Sequence, residues 1–411
     1  MTDTSSTAPS STGPTTDGTA PEAFDHVVVG GGMVAATAAA AIREAAPDAT
    51  VLVLSDDVDA PYTRPALSKK LWTDPEYTED DNDMGLAGTG AELRLRTRAT
   101  AIDRDARTVT TSDGATVSYG RLLLATGGSP TTLDLPDDDR VVYFRTSADY
   151  RRLRALSGGQ RHVVVVGGSY IGTEIAAALV QNDTRVTLVF PDEVLGGAVF
   201  PPELASSFER RYEEAGVALA RGRRLERGTA DGAGLHLVLD DGSTLDADAV
   251  VVGLGITPSV ELAEQAGLTV DDGIVVDASL RTSDPLVFAA GDVAMYPDRI
   301  LGRRRVEHVD NAKEQGPFVG RVMAGSDEEY AHTPYYYSKV FDLSYEAVGT
   351  IDSTTDTVVD DKGDGAAVAY YLSDDAVVGV LLWNVDEARD AARAVLAEGS
   401  AVDRDALVGR I

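Results

Sequence analysis

Short, unbroken apolar runs alternate with longer mixed segments along most of the chain. That rhythm predicts buried parallel strands joined by helices. Val27-Val28-Val29 opens the series, and three consecutive valines suit a strand covered on both faces. The alanine-rich run to Ile42 reads as a helix and Thr50–Leu54 as the next strand. Residues 92–118 read as short strands with a turn at Asp113-Gly114, and Leu122–Leu124 as a buried strand running into a glycine turn. The rhythm then restarts with His162–Val166, a helix through Glu174 to about Val180, and a strand from Arg185 to Phe190. Val250–Gly255, Ile274–Val276 and Val287–Asp292 are further apolar strands. Between the first two units, Pro61–Trp72 predicts a fixed loop entering a short helix, and Asp74–Asp83 a solvated, mobile loop. From about residue 334 the pattern becomes one of antiparallel strands, at Tyr335–Tyr337, Tyr345–Gly349, Ala366–Leu372 and Val377–Leu382. A closing helix over Glu387–Glu398 follows.

Glycines sit where the two strand–helix rhythms begin. Gly30, Gly32 and Ala35 fill the pattern G-x-G-x-x-A directly after the first strand. The first glycine permits the tight turn and the second lets backbone approach a pyrophosphate. The small third residue lets the helix pack on its strand. The helix then aims its N–H groups and positive dipole end at the phosphates. Asp56 lies 26 positions beyond Gly30, at the end of the second strand, where a carboxylate can accept from a ribose hydroxyl. The second turn holds Gly167, Gly168, Ser169 and Gly172, with serine at the middle glycine position. It is followed by Asp192 after the next strand. Two such motifs 137 positions apart imply two nucleotides, or a duplicated fold with one inactive site. Asp292 ends its strand, where a carboxylate faces the crevice of an open α/β sheet. The predicted fold class is α/β: two Rossmann-like dinucleotide-binding domains plus a C-terminal α+β domain. The expected division is a disordered tail over 1–23, a discontinuous first domain over 24–144 and 260–330, a second over 145–259, and a third over 331–411.

Composition narrows the function classes. With 411 residues and 43% hydrophobic content, the chain can form two or three cored domains. No apolar run approaches the ~18 residues of a membrane span. Residues 1–23 lack the basic start and apolar stretch of a signal peptide. The net charge of −31 repels phosphate backbones and anionic lipid, which argues against a nucleic-acid partner. A high-salt cytosol and a GC-biased genome both account for the acid excess. Only Lys69, Lys70, Lys313, Lys339 and Lys362 are lysines. The absence of cysteine excludes disulfides, thiolate metal sites and a redox-active dithiol, and suits a cytoplasmic location. No His, Asp and Glu cluster has metal-ligand spacing, so no metal is expected.

The order of these features resembles the flavin-dependent pyridine-nucleotide oxidoreductases: glycine turn, Ala125-Thr126-Gly127, second glycine turn, Gly291-Asp292. Longer strings narrow the likeness to apoptosis-inducing factor and its bacterial relatives, with ferredoxin and rubredoxin reductases as cousins. They are Pro61-Tyr-Thr-Arg-Pro-Ala-Leu-Ser-Lys-Lys-Leu-Trp72, Leu301–His308, Tyr345-Glu-Ala-Val-Gly349 and Val377–Asn384. The resemblance spans roughly residues 24–400. It implies FAD in the first domain and NAD, as NADH, in the second.

What the resemblance implies for residues is specific. Gly30, Gly31, Gly32, Met33, Val34, Asp56, Asp57, Arg64, Lys69, the Ala99 backbone, Arg145, Asp292 and His308 match FAD-contacting positions. Gly168, Ser169, Tyr170, Ile171, Asp192, Gly255, Glu307, Glu346 and Asn384 match positions facing the nicotinamide nucleotide. Tyr337 stands where the family usually carries a Trp beside the flavin, and Ala198 where apoptosis-inducing factor has a basic residue. Segment 353–364 is short where the mammalian protein has a regulatory insertion. Lys69 is the candidate cation beside the flavin and Glu174 its partner. Tyr170 is the candidate cover for the flavin, and His308 a contact to flavin or nicotinamide. Plainer roles compete: a surface lysine beside Lys70, an acid complementing a helix start, a core aromatic and a structural histidine. Asp192 would accept from a ribose hydroxyl and repel a 2′-phosphate, favouring NADH.

The expected reaction is hydride transfer from NADH to flavin, then release of electrons to an external acceptor: oxygen, a quinone or a small redox protein. Two alternatives stand beside an oxidoreductase resembling apoptosis-inducing factor. One is the NADH-dependent reductase of a ferredoxin or rubredoxin. The other is an NADH-sensing flavoprotein whose reduced complex controls partner binding. The expected assembly is a monomer or an NADH-dependent homodimer.

Overall fold

The computed structural model describes residues 21–411. The expected tail lies outside the described residues as far as position 20. Its last positions do not belong to a tail: the first strand is Glu22–Val29, and Glu22, Ala23 and Phe24 pair with Val117, Ser118 and Tyr119.

The first sheet has the order Glu92–Arg94, Val51–Leu54, Glu22–Val29, Thr116–Leu124, Thr108–Thr111, Ala99–Asp103. Val287–Ala289 pairs in parallel with the C-terminal half of Thr116–Leu124. The chain thus returns to this sheet after building the second. Val27, Val28 and Leu122–Leu124 are fully buried, as expected for strands covered on both faces.

The second sheet is wholly parallel, in the order Ala218–Ala220, Arg185–Val189, His162–Val166, Ala249–Val252, Val141–Tyr143. Val141–Tyr143 therefore sits in this sheet and not in the first, where a boundary after residue 144 would put it. Its partners are Val250–Val252. The chain enters the second unit through Gly128–Pro130 and leaves through Ile256–Pro258, and these two segments pair antiparallel. A five-stranded antiparallel sheet follows, in the order Tyr335–Val340, Leu343–Gly349, Ala376–Trp383, Ala366–Ser373, Asp356–Gly363. The helix Arg389–Ala397 buries Ala392, Val395 and Leu396 in the same apolar cluster as Val380 and Leu382.

Helix Met33–Ala45 packs closely on helix Val309–Met323. A Cβ at Gly316 would stand 1.9 Å from Thr37 Oγ1, and one at Gly320 2.5 Å from the Ala38 carbonyl oxygen. The second of these helices escapes the sequence pattern. It contains Pro317 and two glycines, each unfavourable in isolation, and close packing overrides that preference. The segment Asp74–Asp83 is also more ordered than its acidity predicts. Tyr62 bridges to Asp83, Asn82 is buried, and Glu79 receives a hydrogen bond from Arg151 at 2.7 Å.

Candidate active site

Both glycine turns open on one cavity of about 500 Å³. Gly30 has φ +127°, and a Cβ there would lie 2.1 Å from the Ala125 carbonyl oxygen. Only glycine fits that crossing of strand ends. A Cβ at Gly31 would strike Ser55 Oγ at 1.9 Å, whereas Gly32 has open space before it and lies on the cavity. Gly32 caps helix Met33–Ala45 with no side-chain bond, and the first turn carries no acid, so its N–H groups stay free for an anion. Met33 and Val34 line the cavity from that turn.

The second turn repeats this geometry. Gly167 has φ +117°, and a Cβ would lie 2.3 Å from the Gly253 carbonyl oxygen. A Cβ at Gly172 would lie 1.9 Å from the Gly167 carbonyl oxygen. Gly168 packs beneath Phe190. Ser169 caps helix Tyr170–Val180, again without a side-chain bond or a first-turn acid. Ser169, Tyr170, Ile171 and Gly255 all line the cavity.

Positive charge gathers on the facing wall. Arg64 Nη1 donates to the Arg145 carbonyl oxygen at 2.8 Å, and Arg145 Nη2 to Asp292 Oδ2 at 2.9 Å. Arg145 Nε is buried without a partner. Burial, then the neighbouring Arg145 charge, holds Arg64 below its ordinary range. Two guanidinium groups with one carboxylate and an orphaned donor suit an anionic ligand.

Lys69 lies between the 3₁₀ turn Arg64–Ser68 and the short helix Lys70–Thr73. Its Nζ is 2.6 Å from Glu174 Oε2. Glu174 is only 3% exposed and accepts from Ser68 Oγ at 2.6 Å and Ser338 Oγ at 2.7 Å. Three donors compensate its burial, so it does more than complement a helix start. Lys69 Nζ also lies 5.5 Å from the centre of the Tyr337 ring. Lys69, Glu174, Asp292, Tyr337, Glu307 and His308 line the cavity as well.

Tyr170 stacks on Tyr336 at 6.5 Å and leans on Tyr345 at 6.0 Å, and burial raises its hydroxyl's pKa. His308 caps helix Val309–Met323. Burial pulls its pKa down to about 4, leaving a neutral ring. Asp310 N–H faces its Nδ1 at 3.3 Å and Tyr337 N–H its Nε2 at 3.2 Å. A neutral imidazole has one accepting nitrogen, so only one of these contacts is a hydrogen bond at a time. Glu307 pairs with Arg305.

The remaining expected residues lie off this cavity. Asp56 is exposed and paired with Arg98. Asp57 accepts from Val58 N–H and Tyr62 OH, and Ala99 pairs with Thr111 at the sheet's far strand. Asp56 and Asp57 directly follow Ser55, which Gly31 touches, so they flank the first glycine turn. Asp192 is half-buried beyond the end of Arg185–Val189, and its carboxylate has no hydrogen bond or ion pair among the described residues.

Glu346 and Asn384 depart from the expectation that they face a nucleotide. Glu346 is held by Arg389, with Nε to Oε2 at 2.7 Å. Asn384 accepts from Ser344 N–H at 3.0 Å and donates to the Gly365 carbonyl oxygen, joining strand ends. Neither lines the cavity. Sequence reasoning missed Phe144, Arg305 and Tyr336, which do. Phe144 directly follows a parallel strand's C-terminal end, a position the general rule for such sheets points to.

Residues 24–316 match the model of the pyridine nucleotide-disulphide oxidoreductases, and the chain belongs to that family. It is an FAD-dependent NAD(H) oxidoreductase, although it has no cysteine with which to form the disulphide of the family's name. It is 36% identical over 387 residues to the ferredoxin–NAD(+) reductase component of the anthranilate 1,2-dioxygenase system of Burkholderia cepacia. That match covers 92% of this chain and 95% of the relative. A putative apoptosis-inducing factor 1 of Drosophila melanogaster is 29% identical, covering 93% of this chain and 64% of that protein. Among solved structures, putidaredoxin reductase in its covalent complex with putidaredoxin aligns with a TM-score of 0.85 at 28% identity. The alignment covers 93% of this chain and 95% of that one. Among the described residues, no helix is long and apolar enough to cross a membrane.

Proposed function

We propose that the chain is an NADH-dependent reductase that passes electrons to a small redox protein. The observation that carries this reading is the Lys69–Glu174 pair, set in the wall of a cavity onto which both glycine turns open. The arrangement fits FAD: Gly32 leaves room for a pyrophosphate, the helix N-terminus behind it is free, and Arg64 and Arg145 balance the charge. When bound, FAD supplies the chemistry, accepting a hydride and releasing electrons one at a time.

The protein's own groups orient and tune. Asp292 would hold a hydroxyl of the flavin's sugar chain. Ser169 and its helix would hold the second pyrophosphate, and Asp192 would select against a 2′-phosphate. Lys69, held in place by Glu174 at 2.6 Å, would offset negative charge developing on the flavin beside it. Because the chain has no cysteine, electrons leave directly for the external acceptor. The relatives named for ferredoxin and putidaredoxin favour a protein over oxygen as that acceptor.

Anaerobic titration of the purified yellow protein with NADH, followed by mixing with a ferredoxin, menadione or air, tests the reading. Reoxidation at least tenfold faster with the ferredoxin than with air supports it. Fastest reoxidation by air makes the chain an oxidase and overturns it.

A further inference from the structure

Arg305 ends the strand Gly302–Arg305 and stands on the nucleotide cavity with its side chain only 11% exposed. Its guanidinium holds three residues. Nη1 donates to the Asp292 carbonyl oxygen at 3.2 Å, and the same nitrogen pairs with the Glu307 carboxylate. Nε donates to the Asp272 carbonyl oxygen, and Nη2 lies 3.4 Å from the Asp272 carboxylate. The side chain reaches these partners past Gly273, where a Cβ would lie 2.8 Å from Arg305 Cδ. Asp292 and Glu307 both line the cavity. One nitrogen thus touches the backbone of one cavity acid and the carboxylate of another.

The Gly291–Asp292 turn has two other anchors. Gly291 N–H donates to Gln315 Oε1 at 2.7 Å, and Gln315 is fully buried. The Asp292 carboxylate accepts from Arg145 Nη2 at 2.9 Å. Among the described residues neither of these two side chains bonds to Glu307, whereas Arg305 does. A shift of Glu307 therefore reaches the turn through Arg305.

We propose that Arg305 is a positioning residue that couples the two nucleotide sites. The inference rests on the reading of FAD beside Asp292 and a nicotinamide beside Glu307, and it adds the link between them. A nicotinamide amide that draws Glu307 towards itself relieves the guanidinium of one carboxylate. The guanidinium then donates more strongly to the Asp292 carbonyl oxygen, and the turn that holds the flavin's hydroxyl stiffens. Such coupling is reciprocal: the nicotinamide nucleotide tightens FAD, and FAD tightens that nucleotide by the same factor. The planar, five-donor fork of arginine serves a carbonyl and a carboxylate in fixed directions at once. A lysine, a single point charge on a flexible stem, does not.

The test follows FAD release from the loaded, oxidised protein by the rise of free-flavin fluorescence. It is run with saturating NAD⁺ and with saturating ADP-ribose, which has no nicotinamide to draw Glu307. The wild type should release FAD at least about fivefold more slowly with NAD⁺ than with ADP-ribose. Arg305→Lys should make the two rates equal, and so should Glu307→Ala, which removes the group that the nicotinamide draws. Mere covering of the flavin by nicotinamide would slow release in all three proteins alike. A wild-type ratio that persists in Arg305→Lys therefore overturns the coupling. If that variant does not fold, the same ratio persisting in Glu307→Ala overturns it. Equal rates with the two ligands in the wild type overturn the coupling while leaving the site reading intact. A wild type that takes up no FAD overturns the site reading itself.

Discussion

Ser338, on the first strand of the C-terminal sheet, donates its hydroxyl to Glu174 at 2.7 Å and so ties that sheet to the second nucleotide helix. The same carboxylate receives Lys69 and Ser68 from the first unit. One buried acid is therefore held by all three parts of the fold, and the two ends of its ion pair are not equivalent.

Removing Glu174 leaves Lys69 without a counter-charge and two hydroxyls without an acceptor. Breaking a buried pair from one side costs about 3–5 kcal/mol. Lys69 is 18% exposed, so the lower end applies to Glu174→Ala, read as a fall in the thermal midpoint. Lys69→Ala leaves Glu174 with two hydroxyl donors, and the protein folds. Stopped-flow reduction by NADH should then slow by at least tenfold. Unchanged reduction in that variant removes Lys69 from the reaction.

The two glycine turns predict opposite outcomes for the same change. Gly172→Ala drives a Cβ to 1.9 Å from the Gly167 carbonyl oxygen. The helix must leave its strand, and little folded protein should be recovered. Gly32→Ala meets open space at φ −92°. It should fold within about 1 kcal/mol of the wild type but keep less flavin, because the methyl group stands where phosphate approaches. The ratio of flavin to protein absorbance after gel filtration, with the thermal midpoint, distinguishes the two.

Asp192 sets the nucleotide preference by repelling a third phosphate. Asp192→Ser should raise kcat/KM for NADPH by at least tenfold while changing that for NADH less. NADPH already matching NADH in the wild type would contradict the role.

Burial pulls His26 and His308 down to about pKa 4. Unfolding restores the ordinary value near 6.5, so between the two values the unfolded chain binds more protons. Stability is thus complete above about pH 6.5 and declines as pH falls towards 4, by up to about 1.4 kcal/mol per pH unit for each histidine. His26→Gln, away from the cavity, should flatten the dependence of the denaturation midpoint between pH 6.5 and 5. An identical slope in the variant would show that His26 does not carry it.

Sequence patterning makes the parallel strands and both turns legible because a strand covered on both faces needs a continuous apolar run. Val27–Val29 and His162–Val166 stand out for that reason. Helix Val309–Met323 is hidden because its proline and glycines are chosen by close contact with Met33–Ala45, which local preference does not report. Helix Ser147–Leu156 had a readable start in the reciprocal cap between Thr146 and Asp149. The pairing of Glu346 with Arg389 joins residues 43 positions apart, and no spacing rule anticipates it. A motif match supplied the residue but not its neighbour.

The antiparallel ribbon of Gly128–Pro130 and Ile256–Pro258 gives the second unit a single two-lane doorway. A segment whose ends meet side by side can be excised or exchanged without cutting its host's sheet. Nicotinamide selectivity could then be transplanted between relatives as a cassette, with the flavin's cradle left whole.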